Sequence, residues 1–142
     1  MNRGQNTKLY WHDKHIQQYD LDKQYDTDYN LDALEFLKTF EDESIRGVLF
    51  DPPYTPRQLS ECYKKLGRSV TFQDTDASYW SNLKKELSRI VKPGGIVISF
   101  GWNSGGVGKV NGFKITRIRL VPHGGVHNDT ICVIDKKVQS KL

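Results

Sequence analysis

The segment Gly47-Val48-Leu49-Phe50-Asp51-Pro52-Pro53-Tyr54 restricts the possible folds of this chain more than any other. An unbroken apolar run this short reads as a strand buried on both faces, as in a parallel sheet covered by helices. The two prolines fix two φ angles and remove two backbone donors, so the strand has to stop there and leave the sheet as a stiff loop. That loop offers acceptors, the Asp51 carboxylate and the nearby carbonyls, and sets the flat ring of Tyr54 beside them. Acceptors next to a ring suit an exocyclic amino group on a planar base: the acceptors hold the N–H donors and the ring stacks.

The rest of the chain agrees with a covered sheet. Leu31, Leu34, Phe36, Leu37 and Phe40 recur at helical spacing, which predicts a helix over 31–42 with Asn30 as its N-cap. Residues 55–70 are polar, with helical character near 57–66. Trp80, Leu83, Leu87, Ile90 and Val91 share one face of a helix over 78–91, closed by Lys92-Pro93-Gly94-Gly95. Ile96 to Phe100 reads as a second buried strand. Residues 113–121 and 130–135 read as an antiparallel pair joined by His123 to Asp129. A short extended piece is expected over 25–29, preceded by an irregular arm, 1–24. Strands alternating with helices predict an α/β fold, with a mostly parallel sheet, a C-terminal antiparallel strand and helices on its faces. Ligands of such sheets bind at the carboxyl ends of the strands. Asp51 to Tyr54 and the glycine-rich run Gly101 to Gly108 therefore fall on one edge.

A chain of 142 residues is one domain, and it buries a core without metal or disulfide staples. No apolar run is long enough for a bilayer, and the N-terminus leads into no apolar segment, so the expectation is a cytoplasmic protein with Cys62 and Cys132 reduced. Charge is uneven: 6 Lys/Arg against 10 Asp/Glu in residues 1–50, but 15 against 7 in residues 51–142. A basic half suits a polyanion such as nucleic acid, and a solvated surface explains it as well. Arg57, Lys64, Lys65 and Arg68 follow the proline loop and Lys109 ends the glycine run; these are the candidate phosphate contacts. Tyr63, Phe72, Tyr79, Trp80, Trp102 and Phe113 are either stacking platforms or core. His123 and His127 lie in a glycine-containing loop rather than on a helix, and no metal site is expected.

Asp51-Pro52-Pro53-Tyr54 after an apolar strand resembles the catalytic motif of the amino-group DNA methyltransferases. Asn30-Leu31-Asp32-Ala33-Leu34-Glu35-Phe36-Leu37 is similar to that family's Asn-Gly-Asp-x-Leu-Glu-x-Leu stretch, with Leu31 in place of the glycine. Arg89 to Phe100, with its Lys-Pro-Gly-Gly turn, resembles the family's helix and turn before the next strand. The similarity covers about residues 25–135, and the nearest type is the small phage- and prophage-encoded adenine methylase. The resemblance implies a partial Rossmann-like methyltransferase sheet over 25–142 and transfer of a methyl group from S-adenosylmethionine to the N6 amino group of adenine in DNA. The base would be flipped out of the duplex. Asp51, Pro52, Pro53 and Tyr54 would be catalytic. Asp32, Asp51, Phe100, Gly101 and Trp102 would lie on the cofactor side.

The family's aromatic-Gly-x-Gly cofactor motif is not found upstream of Asp51. Three arrangements follow: a compact enzyme completed by the arm or by another subunit, the catalytic half of a split enzyme, or a binding protein without transfer activity. A nucleic-acid-binding or regulatory subunit, or other chemistry on S-adenosylmethionine or a nucleoside, are the alternative functions. A sheet lacking its first strands has an open edge, which predicts a homo-oligomer or a partner chain.

Overall fold

The computed structural model describes residues 8–12, 15–18, 23, 29–69 and 77–138. Its elements are β1 (Lys8–His12), β2 (His15–Gln18), α1 (Ala33–Lys38), β3 (Ile45–Phe50) and α2 (Pro56–Lys65), then α3 (Ala77–Ile90), β4 (Val91–Gly101), β5 (Phe113–Val121) and β6 (Thr130–Lys137). A 3-10 turn, Lys109–Asn111, precedes β5. The expected strand over 25–29 lies outside the described residues except for Tyr29, and Phe72 lies outside them entirely.

The six strands form one sheet in the order β2-β1-β3-β4-β6-β5. The α/β fold with a partial Rossmann-like sheet is as expected, but the sheet is mixed rather than mostly parallel. β3 and β4 run parallel, joined by the crossover through α2 and α3; every other pair is antiparallel. The reason is local: β5 and β6 are joined by a loop too short to permit a parallel return, and β1 meets β3 head to tail.

The edge expected to be open is filled. β1 pairs with β3 through Leu9↔Val48 and Tyr10↔Gly47, and β2 pairs with β1. Part of the arm expected to be irregular is therefore a hairpin; Leu9, Tyr10 and Trp11 are good strand formers, and β3 offers them an unpaired edge.

The core lies between one sheet face and the helices α1 and α3. Val48, Phe50 and Val97 from the sheet meet Phe36, Leu37, Leu83, Leu87 and Ile90. The Phe36 ring sits 5.2 Å from both Tyr29 and Phe40. α1 starts later than expected: its N-cap is Asp32, whose carboxylate accepts the Leu34 N–H at 3.0 Å, and not Asn30. Between α3 and the paired part of β4, Gly95 passes so close that a Cβ would meet the Arg46 carbonyl oxygen at 2.9 Å, which accounts for the glycine there. Among the described residues no helix is long and apolar enough to cross a membrane.

Two cations tie the layers together. Arg89 of α3 donates to the Phe40 and Leu37 carbonyls at 2.8 and 3.1 Å, capping the end of α1, and pairs with Asp42 and Glu86. Lys137, 1% exposed, donates to the Ser88 and Val91 carbonyls at 2.7 and 2.6 Å and holds the end of α3 against β6. Lys137→Met keeps the packing but leaves two buried carbonyls without donors. We expect a loss of about 3 kcal/mol in urea unfolding, against less than about 0.5 kcal/mol for the exposed Lys85→Met.

Candidate active site

Phe50 at the end of β3 pairs with Ser99 of β4, so Asp51 leaves the sheet beside Phe100 and Gly101. Both strands point the same way, and the two loops meet at one edge as the sequence predicts. Pro52 and Pro53 are buried; Asp51 and Tyr54 are half-buried.

The loop is held from several sides. The Tyr54 hydroxyl donates to Asp51 Oδ1 at 3.0 Å, and the Tyr54 N–H donates to Gln58 Oε1 at 2.8 Å. Gln58 belongs to α2, which starts at once because Thr55 caps it and Pro56 occupies its first turn. The Trp80 Nε1–H donates to the Pro53 carbonyl at 3.0 Å. Tyr54 and Trp102 meet edge to face, with centroids 5.3 Å apart. Burial, with the Asp51 charge and hydrogen bond adding to it, pushes the Tyr54 phenol up to about 12. Tyr54 therefore remains a neutral donor throughout the physiological range. Burial and the Asp51 charge also push the Cys132 thiol up, which places Cys132 of β6 in the field of the same carboxylate.

Two clefts flank the first turns of α3. The smaller, about 60 Å³, is lined by Pro52, Pro53, Tyr54, Phe100, Gly101 and Trp102, and also by Trp80, Lys84, Ser99 and Gly106. The larger, about 650 Å³, is lined by Asp32, Glu35, Lys38, Tyr63, Arg68, Tyr79 and Asn82, among others. The edge-to-face pair Tyr79–Trp80, 5.1 Å between centroids, has one ring on each side.

The expected site residues thus divide. Pro52, Pro53, Tyr54, Phe100, Gly101 and Trp102 line one cleft, with Asp51 bonded to Tyr54 at its edge. Asp32 lines the other, where it also caps α1 and accepts the Tyr63 hydroxyl at 2.6 Å. Of the expected phosphate contacts, Arg57 is exposed and paired with Glu61 at 2.9 Å. Lys64 and Lys65 are exposed in the last turn of α2, where they also complement the helix dipole. Arg68 borders the larger cleft, and Lys109 is exposed on the 3-10 turn.

Sequence reasoning missed several neighbours. Trp80 reads as core from its helical face, but its indole N–H needs a partner when half-buried, and Pro53 provides it. Asp135 of β6 is fully buried; its Oδ2 accepts the Val107 N–H at 3.0 Å and so anchors the glycine-rich loop. Gly106 lies against it at φ +57°, where a Cβ would overlap the carboxylate. Burial pushes the Asp135 carboxyl above the usual range, although the loop N–H groups and the Lys84 charge pull it down. Among the described residues, Ser99 Oγ and Asp135 Oδ1 are buried without a hydrogen-bond partner.

No protein-family model matches the chain. No curated protein matches it either. Two crystal structures of one protein, a "Putative DNA Modification Methylase" from Thermus thermophilus, are similar to it. The selenomethionine form gives a TM-score of 0.47 at 16% identity, covering 76% of this chain and 51% of that one. The other form gives 0.48 at 17% identity, covering 79% and 54%. The chain spans about half the length of these matching structures.

Two titrations check the electrostatics. Asp51→Asn removes the charge but not the burial, so the Tyr54 phenol should fall from about 12 yet stay above its ordinary 10.0, as followed by 13C NMR of a Tyr54-labelled protein. The folded-state pKa of Asp135 is raised, so its stabilising contribution is present below the unfolded value and is lost as pH rises through the folded one. Asp135→Asn should therefore gain stability relative to wild type in urea unfolding as pH rises above the ordinary carboxylate range.

Proposed function

We propose that this chain is the catalytic part of an S-adenosylmethionine-dependent methyltransferase acting on the N6 amino group of adenine in DNA. The observation that carries the reading is the Asp51–Tyr54 loop itself. It is a carboxylate and a proline carbonyl at the carboxyl edge of a parallel strand pair, with an aromatic ring hydrogen-bonded to that carboxylate.

The two clefts support a place for the cofactor. About 60 Å³ at the motif is too little for the whole cofactor, and leaves room for the amino edge of a base and the transferred methyl group. About 650 Å³ at Asp32 lies within the usual range for small-molecule sites. There Asp32 and Glu35 offer acceptors for hydroxyl and amino groups, and Tyr63 and Tyr79 offer rings. The cofactor's sulfonium supplies an electrophilic methyl group, so no metal is required.

The chain's own residues then have simple tasks. An ionised carboxylate has about four lone-pair sites, and Tyr54 takes one. Asp51 and the Pro52 carbonyl accept the two N6 hydrogens of an extruded adenine, which draws density onto the nitrogen and aims its lone pair. Tyr54 and Trp102 present ring faces and edges to the base. When the nitrogen takes the methyl group it sheds one proton, and Asp51 is in place to accept it. Most of the rate gain is positional.

A second reading, the nucleic-acid-binding subunit of a split methyltransferase, is favoured by the small size of the motif cleft. The two separate in one set of measurements. Asp51→Ala should lower transfer of labelled methyl groups to duplex DNA by about 100-fold or more, with duplex affinity within about twofold of wild type. Unchanged transfer in that variant would overturn the mechanism. Wild-type protein that binds DNA but shows neither transfer nor S-adenosylmethionine binding in calorimetry would establish the second reading.

A further inference from the structure

The strands β3 to β6 carry one acidic side chain, Asp135, and it is buried. Their cations are distributed differently. Cross-strand partners share a face, so the register assigns each side chain. Val97 pairs with Asp135, and Ser99 with Val133, on the face covered by helices. The opposite face runs in rows: Ile96–Lys136–Lys114, Ile98–Ile134–Arg117, and Phe100–Cys132–Arg119. Lys114, Arg117, Arg119 and Lys136 are all exposed, and none makes an ion pair with a described residue.

One feature of this face costs stability and calls for a counter-charge, and a second turns further cations onto it. Lys114 and Lys136 stand directly opposite each other, a like-charge pair that repels. A bulge at Ile115 to Arg117 shifts the register by one residue, and the Thr116 hydroxyl secures it by donating to the Ile134 carbonyl at 3.1 Å. Without that bulge, strict alternation would turn Arg117 and Arg119 to the helix face. With it, both arginines join Lys114. Arg117 and Arg119 then stand about 7 Å apart along the strand. The row of Arg119 ends at Cys132 and Phe100, next to Asp51.

We propose that this sheet face, through Lys114, Arg117, Arg119 and Lys136, is the surface on which duplex DNA docks beside the Asp51–Tyr54 loop. The choice of duplex DNA rests on the methyltransferase reading; the polyanion rests on the charge pattern alone. A second copy of the chain is the weaker occupant, because pairing two β5 edges would bring Lys114, Arg117 and Arg119 near their own copies.

The test is fluorescence anisotropy of a labelled DNA duplex, without cofactor, over a range of salt concentrations. Each phosphate contact contributes about 0.9 to the slope of log K against log salt. The triple variant Lys114→Gln/Arg117→Gln/Arg119→Gln should lose about 2.7 of that slope, with its melting temperature unchanged. Arg117→Lys/Arg119→Lys should keep the slope. Arg57→Gln/Lys64→Gln/Lys65→Gln on α2 should lose less than one contact's worth. The proposal is overturned by an unchanged slope in the β5 triple variant, by an equal loss in the α2 variant, by loss in the lysine variant, or by a wild type with no salt-sensitive binding. A change of sedimentation mass in the β5 variant would make the face a self-interface and also overturn it. Absent methyl transfer with the slope effect intact refutes the enzyme reading alone; transfer with an unchanged slope refutes the docking surface alone.

Discussion

Parallel pairing of β3 with β4 is the constraint on which the rest of the molecule depends. A parallel pair cannot be closed by a tight turn, so the chain must cross over, and α2 and α3 are that crossover. The crossover covers one sheet face with α3, which with α1 buries Val48, Phe50 and Val97. It also brings both carboxyl ends to one edge. The Asp51 loop and the Phe100–Trp102 turn are neighbours for that reason and not through any affinity of their own.

Buried and half-buried polar groups then hold what the apolar core cannot. Lys137 takes the carbonyls at the end of α3, Arg89 takes those at the end of α1, and Asp135 takes the N–H of the glycine-rich loop. Each joins segments far apart in sequence, and each sits where a helix or loop end would otherwise leave a backbone group unpaired. The Asp51–Tyr54 bond is different: it joins two side chains three residues apart, at the edge of a cleft. The carboxylate orients the ring by accepting the Tyr54 hydroxyl, and the phenol stays a neutral donor.

Much of this was legible in the residues. The strand ending at Phe50, the helix face of Leu83, Leu87 and Ile90, and the pair β5–β6 follow from periodicity and from proline and glycine punctuation. The placement of Asp51 and Gly101 on one edge follows from the strand–helix alternation. The hairpin at the N-terminus was not legible: Leu9 to Trp11 is too short a run to read alone, and only the free edge of β3 makes it a strand. Nor was the division of the candidate site. Asp32 reads as a cofactor residue by resemblance, yet it lines a different cleft from the Asp51 loop and spends one oxygen capping α1.

The sequence by itself determined the elements from α1 onward and the stiffness of the proline loop, because proline, glycine and apolar spacing act through local sterics and burial that need no distant partner. Only the tertiary structure decided which side chains meet. The bulge at Ile115 to Arg117 turns two arginines from one face to the other by a shift of one residue, Lys137 finds carbonyls 46 and 49 residues away, and Tyr54 comes under the edge of Trp102. Register and long-range contact depend on the free energy of the whole packed sheet, and no local pattern of residues encodes it.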